Sequence, residues 1–242
     1  ALALIPWQFL LSVAIGIFLA VFTMSHFLEW VLGEYPSLLW GFFFGLVLAS
    51  IFTVSRSIER WGILPVLGIV LGAVGTYILV GMVPVETPNT GWFLFLSGAL
   101  AISAMVMPGL SGAFILVLLG KYEFLLSAVT NGDIVPLLWV IAGAAVGIVT
   151  FAQILSWLFK RYHDMTVAVL VGMLVGSLRK IWPWKDASFA NTLPGEFTWQ
   201  VGATILLAIV GFVLIWSLTS WAERRKKARP SPEPQGLVVE SE

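Results

Sequence analysis

The chain has 242 residues, 59% of them hydrophobic and 11% charged, with thirteen basic residues balanced by thirteen acidic ones and a mean hydropathy of +0.97. Apolar stretches near the roughly 20 residues that a spanning helix needs recur along it, so it reads as an all-α, polytopic integral membrane bundle with no separate soluble domain. The absence of cysteine excludes disulfides and thiolate metal sites, and His26 and His163 are too far apart for a spacing motif, so no metal, no cofactor and no nucleic-acid partner is expected.

In chain order, hydrophobic windows predict helices over residues 5–25, 38–55, 63–83, 92–107, 112–130, 134–158, 165–182 and 199–221. Pro65 and Pro136 fall where a first-turn proline costs no hydrogen bond. Trp61, Trp92, Trp139, Trp157, Trp199 and Trp221 lie near predicted ends, as interfacial aromatics do. Gly-x-x-x-Gly occurs four times, at Gly41/Gly45, Gly68/Gly72, Gly143/Gly147 and Gly172/Gly176. Small residues one turn apart let helix backbones approach, and packing within the chain is favoured over a homodimer face. Residues 1–222 are expected to form the membrane domain, with a broken or re-entrant hairpin at 92–130. Residues 223–242 are expected to form a cytoplasmic tail, basic at first and then Pro-rich and disordered.

The most informative segment is Met107-Pro-Gly-Leu-Ser-Gly-Ala-Phe114, a Pro-Gly-x-Ser-Gly break inside a hydrophobic run. Non-helical backbone survives at membrane depth only where it is buried in protein or lines a cavity. Pro108 removes a helical donor, Gly109 permits unusual dihedrals, Ser111 can cap the next helix and Gly112 leaves room for close approach. The N–H groups near Gly112, Ala113 and Phe114 would then face an anion such as phosphate or carboxylate, as discontinuous transporter helices do. A kink satisfied by neighbouring helices is the plainer alternative.

Gly109-Leu-Ser-Gly112 also fits the Gly-x-Ser-Gly pattern of rhomboid intramembrane proteases. A nucleophilic serine needs a base within hydrogen-bond reach. His163 follows Lys160 and Arg161 in a polar loop, and His26 sits beside Glu29 at the outer end of the first span, so neither is placed to serve Ser111.

Basic residues orient the chain. If 92–107 and 112–130 form a hairpin that begins and ends on one side, Arg56, Arg60, Lys160, Arg161, Arg224, Arg225, Lys226, Lys227 and Arg229 all face the cytoplasm, nine of thirteen, with the C-terminus inside. A single kinked span would leave about six inside. The hairpin is preferred, and its arms either cross or turn back partway. Lys121, Tyr122 and Glu123 interrupt the second arm and are either functional or an interfacial, self-neutralising group. Arg179, Lys180 and Lys185 fall on the outer side, against the positive-inside trend, where a basic cluster would hold a lipid phosphate. A returning segment or a short-loop exception would also account for them. Glu29, Glu34, Glu86 and Asp133 fall in outer loops or at helix ends, so a proton relay through a buried carboxylate is unsupported.

Met107-Pro-Gly-Leu-Ser-Gly-Ala-Phe114 with Leu118-Leu-Gly-Lys-Tyr-Glu123 resembles the bacterial PopT family of polyprenyl-phosphate transporters, formerly a domain of unknown function. Tyr35-Pro36 with Trp40-Gly-Phe-Phe-Phe-Gly-Leu-Val-Leu-Ala-Ser50, and Gly172-Met-Leu-Val-Gly-Ser-Leu-Arg179 with Trp182-Pro-Trp184, extend the likeness over most of the chain. The resemblance implies a transporter, not an enzyme, that returns undecaprenyl phosphate to the inner leaflet of the bacterial cytoplasmic membrane for reuse. It implies Pro108, Gly109, Ser111, Gly112, Ala113, Glu123 and Arg179 as substrate-binding residues, and it leaves room for a coupling cation, proton or sodium, and for a homodimer. A small-anion carrier is the rival transporter reading. Family members carry an earlier Pro-Gly-x-Ser-Gly-Gly copy in an inverted repeat, whereas this chain has only the later copy. An N-terminal portion outside this sequence is expected to hold the other, the alternative being a single-copy variant.

Overall fold

The computed structural model describes residues 7–186, 190–194 and 198–228. It is helical nearly throughout. The helices are α1 (Trp7–Glu34), α2 (Pro36–Ser55), α3 (Ile63–Val80), α4 (Gly91–Val106), α5 (Gly112–Leu118), α6 (Tyr122–Asn131), α7 (Ile134–Arg161), α8 (His163–Ser177) and α9 (Trp199–Ala228). The one β feature among the described residues is a bridge between Lys185 and Asn191. α2, α3, α7 and α9 are long and apolar enough to cross a membrane, which bears out the polytopic all-α reading. The tail expected to be disordered lies mostly outside the described residues. Its start does not break the chain, since α9 continues as helix through Arg224 and Arg225 to Ala228.

Three side-by-side helix pairs build the bundle, and each pair runs parallel. Gly41 of α2 rests on Thr204 of α9 and Gly45 on Ala208. Gly68 of α3 rests on Met165 and Ala168 of α8, and Gly176 of α8 on Ala73 and Thr76. Gly143 of α7 rests on Phe95 of α4, and Gly147 on Ala99. All four Gly-x-x-x-Gly motifs are therefore used within the chain: at every motif glycine but Gly68 a Cβ would strike the partner's backbone, and at Gly68 it would meet the Met165 and Ala168 side chains. Lipid supplies no hydrophobic drive between helices, so this backbone contact is what the packing rests on.

Parallel pairing fixes which ends meet. The C-termini of α2, α7 and α9 gather with the N-termini of α3 and α8, so Arg56, Arg60, Lys160, Arg161, Arg224 and Arg225 share one end of the bundle. There the Asp164 carboxylate accepts the Glu59 and Arg60 backbone N–H groups at 3.0 and 3.2 Å, and Ile58 packs into a core with Val167, Ala168 and Val171.

The segment 112–130 differs from the single arm predicted for it. α5 ends after seven residues and α6 leaves at 101°. The cause is Gly120, whose φ of +63° is left-handed and whose Cα lies against the Val85 carbonyl, a place where a side chain would be both strained and crowded. At ~1.5 Å per residue α4 advances roughly 24 Å and α5 only about 10 Å, so the returning arm is much shorter than the descending one. The hairpin's two ends do meet on one side: Val85 N–H donates to the Leu118 carbonyl at 2.9 Å and the Thr87 hydroxyl donates to that of Leu119.

Lys121 closes the same mouth. Fully buried, it donates from Nζ to the Thr87 carbonyl and to Asn89 Oδ1, the latter at 2.6 Å, with the Phe93 ring 5.5 Å away. The neighbouring Glu123 is exposed. Lys121 is thus a staple between the two arms of the hairpin, and of the two readings of this group the Lys–Glu neutralisation is not formed.

Candidate re-entrant phosphate cleft

The apex of the hairpin forms because the sequence ends one helix and delays the next. Met107 leaves α4 in extended backbone, Pro108 brings no N–H, and Gly109 takes φ +87°. A Cβ at Gly109 would lie 3.0 Å from the Met173 carbonyl and 3.1 Å from Ser177 Oγ, so the left-handed turn and the seat against α8 both call for glycine. Ser111 stands at the N-cap of α5 with extended backbone, φ −107° and ψ 129°. Its hydroxyl makes no cap hydrogen bond, contrary to the capping role expected of it, and is exposed. Gly112 is buried on the Ala101 backbone, which lets α5 fold back along α4.

Around this apex lies a cleft of about 490 Å³. Gly109, Leu110 and Ser111 form one wall, Trp40 and Val47 of α2 another, and Ser177 and Lys180 the far side. Val47 is near the middle of the twenty-residue α2, so the cleft reaches into the interior of the bundle. Ser177 turns its hydroxyl to its own helix, donating to the Leu174 carbonyl at 2.8 Å. Lys180 is exposed and holds its ammonium 5.2 Å from the Phe114 ring centroid, so a cation stands across the cleft from the break.

The site residues anticipated from sequence divide accordingly. Gly109 and Ser111 line the cleft, while Pro108 and Gly112 shape its wall. Ala113 is exposed on the first turn of α5. Glu123 lies beyond α5, away from the apex. Arg179 lies next to the cleft but outside it: Nη1 donates to the Tyr77 carbonyl at 2.9 Å and the guanidinium stacks 4.2 Å from the Tyr77 ring. It lines a neighbouring hollow that also includes Lys180 and Lys185. Lys180 is the one residue common to this hollow, the apex cleft and a third one beneath Trp184. The sequence marked it only as part of a basic cluster. The turn that follows Ser177 sends adjacent side chains in different directions and so separates Lys180 from Arg179.

Lys185 completes the cluster. It donates to the Lys180 carbonyl at 2.7 Å and stands 5.1 Å from the Trp40 ring. Burial, and then the nearby charge of Lys180, hold its ammonium below the usual lysine range.

A serine nucleophile finds no support in this geometry. His163 is at the opposite end of α8 from Ser177, 3.3 Å from the Asp164 carboxylate, and no described imidazole lines the cleft. The side chain of His26 lies outside the described residues.

Comparison with known proteins agrees with the sequence resemblance. A polyprenyl-phosphate transporter of Vibrio cholerae is 35% identical over 238 residues, covering 89% of this chain and 77% of that protein. A polyprenyl-phosphate transporter of Staphylococcus aureus is 24% identical over 233 residues, covering 88% and 78%. No solved structure is a significant match. The model of the undecaprenyl phosphate translocase-like family matches residues 1–197. This chain, with its Pro-Gly-x-Ser-Gly hairpin, belongs to that family.

Proposed function

We propose that this protein carries undecaprenyl phosphate across the bacterial cytoplasmic membrane, returning the lipid to the inner leaflet for reuse, as one part of an inverted-repeat transporter. The observation that carries the reading is the apex cleft itself, lined by both Ser111 of the break and Lys180 beyond α8. The names of its relatives agree with it.

The energetic problem of moving such a lipid lies in its headgroup. An isoprenoid tail stays in hydrocarbon, whereas an anionic phosphate must cross roughly 30 Å of it. A protein solves this by lending charge and hydrogen-bond donors partway through. Lys180 supplies the charge, Ser111 a hydroxyl, and the backbone N–H groups of Gly112 and Ala113 the remaining donors. Pro108 and Gly109 hold the turn open for them. Arg179, beside the cleft, receives the phosphate before Lys180 does. The basic end of the bundle, with Arg56, Arg60, Lys160, Arg161 and the start of the 223–242 tail, faces the cytoplasm.

A small-anion carrier would use the same donors, and native mass spectrometry of the purified protein separates the two. A co-purifying long isoprenoid phosphate, depleted in Lys180→Gln and Ser111→Ala, supports the lipid reading. Tight binding of a soluble anion with no lipid phosphate supports the rival.

A further inference from the structure

The headgroup cleft accounts for only one end of a lipid phosphate. The turn after α8 divides two spaces with the residues Trp182, Pro183 and Trp184. On one side is the hollow lined by Lys180, Lys185, Asp186 and Trp40. On the other is a groove of about 290 Å³ between α2 and α9, lined by Phe44, Leu48, Ile205, Ile209 and Phe212. Pro183 and Trp184 line both. A molecule with its phosphate at Lys180 therefore needs to pass only this wall to place its chain in the groove.

Three features of the groove bear on what occupies it. Its surface is almost wholly carbon, and its one hydroxyl, on Thr204, donates to the Gln200 carbonyl at 2.8 Å and so offers a ligand nothing polar. Its volume is close to the ~300 Å³ lower end of small-molecule sites. Its rim is aromatic and fixed: Trp182 stands edge-on to Phe44 and to Trp184 at 5.6 Å each, and its indole N–H donates to the Thr192 carbonyl at 2.8 Å.

Surrounding lipid is as apolar as the groove, so hydrophobicity cannot select a chain there; shape must. A rigid aromatic rim favours a branched, unsaturated chain whose methyls seat repeatedly against ring faces over a straight acyl chain that loses rotamer freedom on ordering.

We infer that the groove between α2 and α9 is a subsite for the headgroup-proximal isoprene units of a polyprenyl phosphate. The inference rests on the lipid-transport reading above and adds a tail-recognition site to it.

The test compares undecaprenyl phosphate with a straight-chain alkyl phosphate, each titrated onto the purified full chain. Ile205 and Ile209 are 42% and 54% exposed, so Ile205→Trp with Ile209→Trp fills the groove without disturbing buried packing. The expected result is a preference for the isoprenoid phosphate in the unaltered protein that falls at least tenfold in the double variant, with alkyl phosphate binding kept within twofold. An unchanged preference, or equal binding of both lipids by the unaltered protein, overturns the subsite. Failure of the underlying reading looks different: Lys180→Gln then leaves both phosphates bound as before. If the double variant loses both ligands, a polyprenyl phosphate with a diazirine on its first isoprene units decides on the unaltered protein. Adducts at Trp182, Trp184 or residues 205–212 support the subsite, and adducts confined elsewhere, including on the opposite side of the bundle, overturn it.

Discussion

Substituting glycine by alanine should change this protein's stability in opposite directions at different helical positions. In a helix interior alanine is favoured over glycine by about 1 kcal/mol. At Gly75 of α3 and Gly202 of α9 an added Cβ meets nothing within 4 Å, so that gain stands alone. At Gly143 of α7 the same carbon would lie 2.9 Å from the Phe95 Cα and closer still to its carbonyl. Ordinary carbon contacts need about 3.5–4.0 Å. The carbonyl contact is the tightest, so α4 and α7 would have to part by roughly 1.5 Å to relieve it, and overpacking of this kind costs about 1–3 kcal/mol, here toward the upper end. The net expectation is a stabilisation approaching 1 kcal/mol for Gly75→Ala and Gly202→Ala and, with the cost at the upper end of its range, a destabilisation of up to about 2 kcal/mol for Gly143→Ala. Thermal unfolding of the three variants in one detergent, followed by loss of the monodisperse chromatographic peak, reads the sign directly. A common sign at all three positions would refute the parallel-pair packing.

The cleft yields further predictions. Lys180→Gln should weaken polyprenyl phosphate binding about tenfold or more, because a charged hydrogen bond contributes roughly 1.5–3 kcal/mol, while Glu123→Gln, away from the apex, should leave it within twofold; equilibrium titration checks both. The pH dependence follows from Lys185. Its proton is lost at lower pH than that of an ordinary lysine, so phosphate binding should begin to fall below the usual lysine titration range. In the same window the unfolded chain binds more protons than the folded one, so ligand-free stability should rise with pH, and Lys185→Met should flatten both trends. A serine-reactive fluorophosphonate should leave Ser111 unlabelled, and stoichiometric labelling in intact-mass spectra would reinstate the hydrolase reading.

Much of this architecture is visible in the chain because membrane helices reveal themselves through long apolar runs. Pro108 and Gly109 mark the break for a local reason that holds in any context, one lacking a donor and the other tolerating a left-handed turn. Gly120 escapes the same reading. A lone glycine in an apolar run is compatible with helix, and only its seat against Val85 forces φ +63° and divides 112–130. Lys121 is equally opaque, since its partners Thr87 and Asn89 are brought to it by the returning hairpin and not by neighbouring sequence. The Gly-x-x-x-Gly motifs announce close packing but not its partners; that α7 meets α4 and α3 meets α8, each in parallel, depends on the hairpin returning α5 to the side from which α4 sets out. The basic cluster shows the same limit. Its composition points to an anion, yet whether Arg179 or Lys180 meets the cleft is decided by the course of the turn after Ser177 and by the Tyr77 carbonyl that engages Arg179.

The most direct test of the central claim is transbilayer movement of a polyprenyl phosphate in proteoliposomes, read as the rate at which the lipid becomes accessible to an enzyme added to one side. The unaltered protein should accelerate it above empty vesicles, and Lys180→Gln should slow it about tenfold or more, in line with a lost charged hydrogen bond, while Lys180→Arg retains most of the rate. Transport by Lys180→Gln at the unaltered rate would contradict the assignment of the apex cleft as the phosphate's path.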